Sequence, residues 1–220
     1  METILKILIT KMASKSVALI TMSLRPARIG VNVAAFVQPI FQKAFSAADV
    51  KLTPVDLRDF NLPIFNENVA PAMVPAFAQF EHEHSKAWSA EIAKHDGYII
   101  VIPEYNFGLA GGTKNAIDYL LNEWKGKPVV IVSYGAHGGS KASQQAKEIL
   151  GGLGLRIAET RPQLAFADPM GEMGVILAEG KVTEASRAKW EGQTDKIVKA
   201  ADELKELLLQ PNDPANAPKA

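Results

Sequence analysis

The sequence predicts an α/β fold: a five-stranded parallel sheet of order 2-1-3-4-5 with helices on both faces. Three observations carry that prediction. Two apolar runs, Tyr98–Ile102 and Pro128–Val132, show no alternation and suit strands buried on both faces. Strand-like and helix-like stretches take turns along the chain, as in a parallel sheet with crossover helices. The second strand, Val50–Asp56, contains Pro54, which cannot donate to a ladder and belongs at a sheet edge. An edge position for strand two is what the order 2-1-3-4-5 requires.

The first strand, Ser16–Thr21, is followed by a break at Arg25–Gly30. Val33, Phe36, Val37, Ile40, Phe41 and Ala44 then recur at helical spacing. After strand two comes a loop, Leu57–Val69, and a long helix is expected from about Pro71. Its inward residues would be Met73, Phe77, Phe80, Ala87 and Trp88. Strand three ends at Pro103, and a helix from near Thr113 carries Ala116, Ile117, Leu120, Leu121 and Trp124 on one face. Strand four gives way to a glycine-rich loop, Ser133–Gly139. Ser140 is expected to cap the next helix, with Ala142, Ala146, Ile149 and Leu150 inward and Gly151 and Gly152 as its stop. Arg156–Phe166 holds a weaker fifth strand with Pro162 inside it, and Ala167–Lys181 shows no clear pattern. One helix is expected from Thr183 to about Leu209, with Trp190, Ile197, Ala201, Leu204 and Leu208 at heptad-like intervals.

A length of 220 residues suits one domain with a sizeable core. The expected organisation is an extension over 1–15, a single domain over 16–209 and a disordered tail over 210–220. In the extension, Glu2 and Lys6 interrupt the apolar residues and no A-x-A site follows, which argues against a signal peptide; Met12 is an alternative start. The 24 basic residues equal the 24 acidic ones, so the balance favours neither nucleic acid nor an anionic membrane. The chain has no cysteine, which excludes disulfides, thiolate metal sites and thiol nucleophiles and fits a reducing, cytoplasmic compartment. No apolar run approaches the ~18 residues of a membrane span.

In the predicted sheet order the loops starting at Ser23, Pro103 and Ser133 line one crevice at the carboxyl ends of the strands. The first, SLRPARIGVN, sets Ser23, Arg25 and Arg28 ahead of a helix that opens near Gly30, Val31 and Asn32. Free N–H groups and the helix dipole favour an anion there, and two guanidiniums with a hydroxyl suit a phosphate. The second loop offers the aromatic surface of Tyr105 and Phe107 and the amide of Asn106, the mixture that a flat heteroaromatic ring needs. Glu104 is either a general base or a solvated or ion-paired carboxylate.

Other chemistries fit less well. Gly112-Thr113-Lys114 does not complete GxxxxGK[ST], and Gly135, Gly138 and Gly139 have the wrong spacing for GxGxxG. A phosphoryl-accepting receiver needs carboxylates at the ends of strands one and three, where this chain has Thr21, Met22, Ser23 and Pro103. His82 and His84, two apart on a helix, would face different ways, and no metal site is expected. His137 lies in the third crevice loop, where contact with a ligand and a plain loop role are equally open.

The segments SLR with Gly30-Val31-Asn32, PEYN with Lys114–Asp118 (KNAID), and GKPV-x-IVS with Gly138-Gly139 resemble the NADPH-dependent FMN reductase family. DLRDFNLPIF, Asp56–Phe65, is similar to that family's segment after strand two. The resemblance covers Ser16–Ile157 and implies a flavodoxin-like fold, with FMN as cofactor and NADPH or NADH as hydride donor. It assigns Ser23, Arg25, Arg28, Gly30, Val31 and Asn32 to the flavin phosphate, and Pro103, Glu104, Tyr105 and Asn106 to the isoalloxazine. Ser133, Gly135 and His137 would lie at the ring's other edge. Met22 stands where many members have glycine, and Arg28 where many have a second serine. The implied activity is two-electron, ping-pong reduction of quinones or similar acceptors, with no catalytic side chain because the flavin carries the chemistry. A homodimer is implied, a tetramer being the alternative. The rival readings are a flavodoxin-type electron carrier, which is usually acidic where this chain is neutral, and a flavin-binding regulatory protein.

Overall fold

Side chains in the central strands alternate strictly between two cores, which is the period of two that a pleated strand imposes. Val17, Leu19, Ile99, Val101, Val130 and Val132 enter one core, while Ala18, Ile20, Tyr98, Ile100, Ile102, Val129 and Ile131 enter the other. A computed structural model describes residues 14–75 and 77–210. In chain order its elements are β1 (Lys15–Thr21), α1 (Gly30–Phe45), β2 (Val50–Asp56), α2 (Glu83–Ala93), β3 (Gly97–Tyr105), β4 (Gly108–Leu109) and α3 (Gly111–Asp118). There follow β5 (Pro128–Gly135), α4 (Ser140–Gly152), β6 (Arg156–Ile157), β7 (Gln163–Ala165), α5 (Glu184–Glu191) and α6 (Thr194–Leu209).

The main sheet runs β2-β1-β3-β5-β6 with parallel pairing. This is the expected 2-1-3-4-5 order, and β2 with Pro54 lies at its edge. The first core is closed by α1 and α6, with Trp190 of α5 tilted against Phe36 at a centroid distance of 5.7 Å. The second is closed by α2, α3 and α4 through Trp88, Ile117 and Ala146. Among the described residues, no helix is long and apolar enough to cross a membrane.

Several boundaries differ from expectation. The fifth strand position is shared by two short strands. β6 pairs with the start of β5 and β7 with its end, because Pro162 interrupts the run between them. A short antiparallel hairpin partner, β4, is added to β3. The helix expected from Pro71 is only a 3-10 turn, Pro71–Met73, and α2 starts at Glu83. Val74 precedes Pro75 and is extended (φ −104°, ψ 135°), as the proline ring demands of its neighbour. Phe80 and Trp88 are buried as expected, but Met73, Phe77 and Ala87 are exposed. The last helix is two, separated at Gly192, although all five heptad-like residues are buried. Gly139, not Ser140, occupies the cap position of α4, and Gly151 and Gly152 lie inside the helix. β1 opens at Lys15, one residue inside the expected extension. Residues 1–13 and 211–220, the rest of that extension and most of the tail, lie outside the described residues.

Candidate functional site

The site grows from the end of β1. Parallel pairing sets Thr21 opposite Asp56, so the carboxylate that ends β2 faces the β1–α1 loop. Arg28 turns into that corner. Its Nη1 donates to Ser23 O (2.6 Å) and Asp56 Oδ1 (2.8 Å), and its Nη2 donates to Asp56 Oδ2. Burial works to raise the Asp56 carboxyl, but hydrogen bonds from Arg28 and the Arg58 N–H, with the charges of both arginines, hold it below the usual carboxylate range. The guanidinium expected to meet an anion is thus also engaged with the protein's own carboxylate, a partner that sequence spacing alone could not supply.

Arg25 remains less committed. Its Nη2 donates to Ala27 O (2.6 Å) and Ile176 O (3.2 Å), while its buried Nε has no partner. The buried Ser23 Oγ also makes no hydrogen bond. Gly30, the first residue of α1, sits against this hydroxyl. A Cβ there would overlap Ser23 Oγ and stand 2.8 Å from Tyr134 Oη. Asn32 donates to Gly180 O (2.9 Å), so with Arg25 it tethers the 176–180 segment across the start of α1, and Val31 is exposed.

The second wall is the β3–β4 hairpin. Tyr105 pairs with Gly108, and the two residues between them, Asn106 (φ 48°) and Phe107 (φ 62°), are both left-handed. A two-residue hairpin turn of this kind requires positive φ at both positions; asparagine tolerates it, whereas a bulky aromatic is strained. Phe107 is 77% exposed. Glu104 has a role not foreseen: its Oε2 accepts from Lys141 N (2.8 Å) and Ala142 N (3.1 Å), capping the amino terminus of α4. The third wall is the β5–α4 loop, held by a bond from Ser133 Oγ to Gly138 O (2.7 Å). Gly139 (φ 73°) approaches so closely that a Cβ would stand 2.9 Å from the backbone N and O of Tyr134.

Together these walls enclose an open cavity of about 510 Å³. Of the residues expected at the site, Arg25, Arg28, Glu104, Tyr105, Asn106 and Gly135 line it. Ser23, Gly30, Val31, Asn32, Pro103 and Ser133 lie outside the lining, as does His137, which borders a different cleft because the loop turns back at Gly138 and Gly139. Ile29, Tyr134, Ala136, Phe166, Met173 and Ile176 complete the lining. Of these, Met173 and Ile176 come from the stretch without legible periodicity, Ala167–Lys181, so no local signal marks them, and Phe166 ends the weak fifth strand. Burial raises the Tyr134 phenol above its ordinary value, so it stays protonated in the neutral range. Apolar and aromatic walls with orphaned buried donors in the loop behind them suit a flat ligand with an anionic tail.

A group resembling a metal site, Glu67, Glu81 and His82, lies elsewhere. Glu67 is already used there, accepting from Glu81 N (2.8 Å) and His82 N (3.0 Å) ahead of α2. His82 and His84 do not face apart: their rings stack at 5.2 Å, because His82 is extended and outside the helix.

The model of NADPH-dependent FMN reductases matches residues 16–168. An NAD(P)H-dependent FMN reductase of Nectria sp is 48% identical over 200 residues, covering 90% of this chain and 98% of that protein. A quinone reductase of Pseudomonas putida is 33% identical over 142 residues, 61% of this chain and 69% of its own length. Among solved structures, the flavoenzyme NAD(P)H:(acceptor) oxidoreductase of Paracoccus denitrificans superposes with a TM-score of 0.55 at 25% identity, covering 86% of this chain and 97% of that one. A family match over most of the chain, joined to this sheet order, makes the chain a member of the NADPH-dependent FMN reductase family.

Proposed function

We propose that the chain is an FMN-dependent NAD(P)H:acceptor oxidoreductase that reduces quinones or similar small electrophilic acceptors in two-electron, ping-pong turnover. The observation that carries this reading is the pair of buried donors without partners, Ser23 Oγ and Arg25 Nε, in the loop that opens α1 beside a cavity of about 510 Å³. Buried polar groups are ordinarily satisfied, so unpaired donors at a helix amino terminus suit a phosphate. When bound, FMN supplies the hydride acceptance and two-electron delivery that no side chain here can provide.

The chain's own residues do the rest. Ser23, Arg25 and the first N–H groups of α1 hold the phosphate, and Gly30 keeps space open beside them. Val31 and Asn32 form the turn that carries those N–H groups. Tyr105, Asn106, Gly135 and the apolar residues Phe166, Met173 and Ile176 flank the ring and exclude water. Pro103 and Ser133 shape the strand ends, Arg28 fixes the β1–α1 loop through Asp56, and Glu104 fixes the start of α4. One open cavity serves donor and acceptor in turn, as ping-pong turnover requires. The exposed apolar residues Ile64 (88%), Phe77 (81%) and Phe107 (77%) support a homodimer, and the lack of cysteine suits a cytoplasmic setting.

The test is direct. Purified protein is expected to release FMN on denaturation, to lose its yellow colour under anaerobic NADPH, and to oxidise NADPH with a small quinone, giving parallel double-reciprocal lines. Bound flavin with no quinone turnover would favour the electron-carrier reading. Failure to retain flavin would remove the cofactor assignment.

A further inference from the structure

Tyr134 stands near the end of β5, opposite Pro103 of β3, in the loop that the family resemblance sets at the ring's edge. Alternation along β5 sends its side chain the same way as those of Val130 and Val132, into the core closed by α1. Its hydroxyl thereby reaches the first residue of that helix. A Cβ on Gly30 would stand 2.8 Å from Tyr134 Oη and would overlap Ser23 Oγ, so the two hydroxyls converge on one point. Both residues are buried, Tyr134 at 4% exposure and Ser23 at 1%, and Tyr134 also lines the cavity of about 510 Å³.

The charges around that point fall short of what a phosphate monoester carries. Two cations line the cavity, Arg25 and Arg28. Asp56 occupies both Nη groups of Arg28 and neutralises it. Arg25 makes no ion pair among the described residues; its Nη2 meets two carbonyls and its buried Nε is unpartnered. Arg25 thus stands alone against a group of close to two negative charges, and neutral donors must make up the difference. Ser23 Oγ is one such donor, buried and without a partner. Tyr134 Oη is the other. Burial raises the phenol more than the neighbouring Ser23 hydroxyl and the two arginines lower it, so it keeps its proton and donates.

We propose that Tyr134 is a specificity-determining residue, its Oη donating to the 5′-phosphate of the flavin in place of the cation that Asp56 withholds. The inference rests on the function proposed above. A residue that resemblance sets beside the ring then serves the anionic tail instead. Recognition of the phosphate spans the crevice, from Ser23 and Arg25 after β1 to Tyr134 on β5, with β3 between them. Riboflavin, which lacks only that phosphate, would forgo the contact and keep the walls that flank the ring.

The experiment compares the full-length wild type with Tyr134→Phe, which removes one oxygen and keeps the aromatic ring. Each is stripped of flavin and titrated with FMN and with riboflavin, the quenching of flavin fluorescence giving Kd. For FMN, Kd is expected to rise about tenfold or more, the scale of a lost hydrogen bond to a charged group, while Kd for riboflavin changes less than about twofold. Equal losses for both flavins would make Tyr134 part of the wall around the ring, and unchanged FMN affinity would leave its Oη without a ligand; either result overturns the proposal. A second measurement keeps the phenol in place: 3-fluorotyrosine is substituted at position 134 and followed by fluorine NMR. Its resonance should move further with FMN than with riboflavin, and equal movement with both would overturn the contact. If neither flavin binds, the functional reading fails, and the same signal is then read against inorganic phosphate. A shift there upholds Tyr134 as an anion donor, and no shift overturns it.

Discussion

The two ends of the same sheet treat their polar groups differently. At the amino end, Asp96 bonds Lys15 Nζ (3.1 Å) and Ser16 N (2.8 Å), while the Ser16 hydroxyl meets His95 Nδ1 (2.8 Å). Lys127 Nζ donates to Ile92 O (3.1 Å) and Tyr98 Oη (2.9 Å), and Tyr98 Oη donates to Ile92 O (2.8 Å). These groups answer one another, although Trp124 Nε1 and Glu123 Oε2 beside Tyr98 have no partner. At the carboxyl end, Ser23 Oγ and Arg25 Nε are left without partners, and Asn106 and Phe107 hold left-handed backbone. A buried donor left unpaired costs about 1–3 kcal/mol, so a fold keeps one where something else repays it. The amino end carries the denser polar network, and the carboxyl end leaves its unpaired donors beside an open cavity.

The largest expected effect comes from the carboxyl-end group that behaves like the amino end. Arg28→Ala would leave Asp56 facing the loop without its cation and should lower stability by about 3 kcal/mol in urea unfolding. A change near zero would mean that this corner is solvated and that the contrast between the ends is weaker than drawn. Gly30→Ala comes next. Its methyl group would meet Ser23 Oγ and Tyr134 Oη, so it should cost about 2 kcal/mol in overpacking and sharply reduce the flavin recovered with the protein. Full flavin content would show that the space beside Ser23 is not used.

The smallest effect tests the amino end. Burial lowers the Lys127 ammonium to about 8, opposed by the charges of Asp96 and Glu123, against an ordinary value of 10.5. The unfolded chain therefore binds more protons than the folded one between these values, and stability rises with pH across that window. Below pH 8 the cost of burying the charge is fully present. From pH 8 to 10 the wild type should gain at most about 2 kcal/mol relative to Lys127→Met, measured as the difference between their stability-against-pH curves. Parallel curves would indicate that Lys127 is not desolvated at this end.

Much of this contrast is local in origin, and the rest is not. The apolar runs of β3 and β5 announce buried strands because no exposed strand tolerates such a sequence, and Pro54 marks an edge because it lacks an N–H. The three crevice loops follow from that order. Pro75 and Gly192 interrupt the periodicity of Phe77, Phe80 and Trp88 and of Trp190, Ile197 and Leu204, on which the two longer helices are expected. The partners of the loop residues were hidden. Glu104 caps a helix that begins 36 residues later, Arg28 meets a carboxylate 28 residues away, and Arg25 reaches Ile176, 151 residues on.

By itself the sequence determined the layer architecture, the strand order and the three loops that meet at the strand ends, since burial periodicity and proline chemistry act within a few residues. It also carried the family resemblance in PEYN and KNAID. Only the tertiary structure decided which donors stay free, that Arg28 is paired, that Glu104 serves α4, and that His137 borders a second cleft instead of the cavity lined by Arg25 and Tyr105. Those outcomes depend on charges and carbonyls brought together by strand pairing and helix packing, and no local pattern encodes such distant partners.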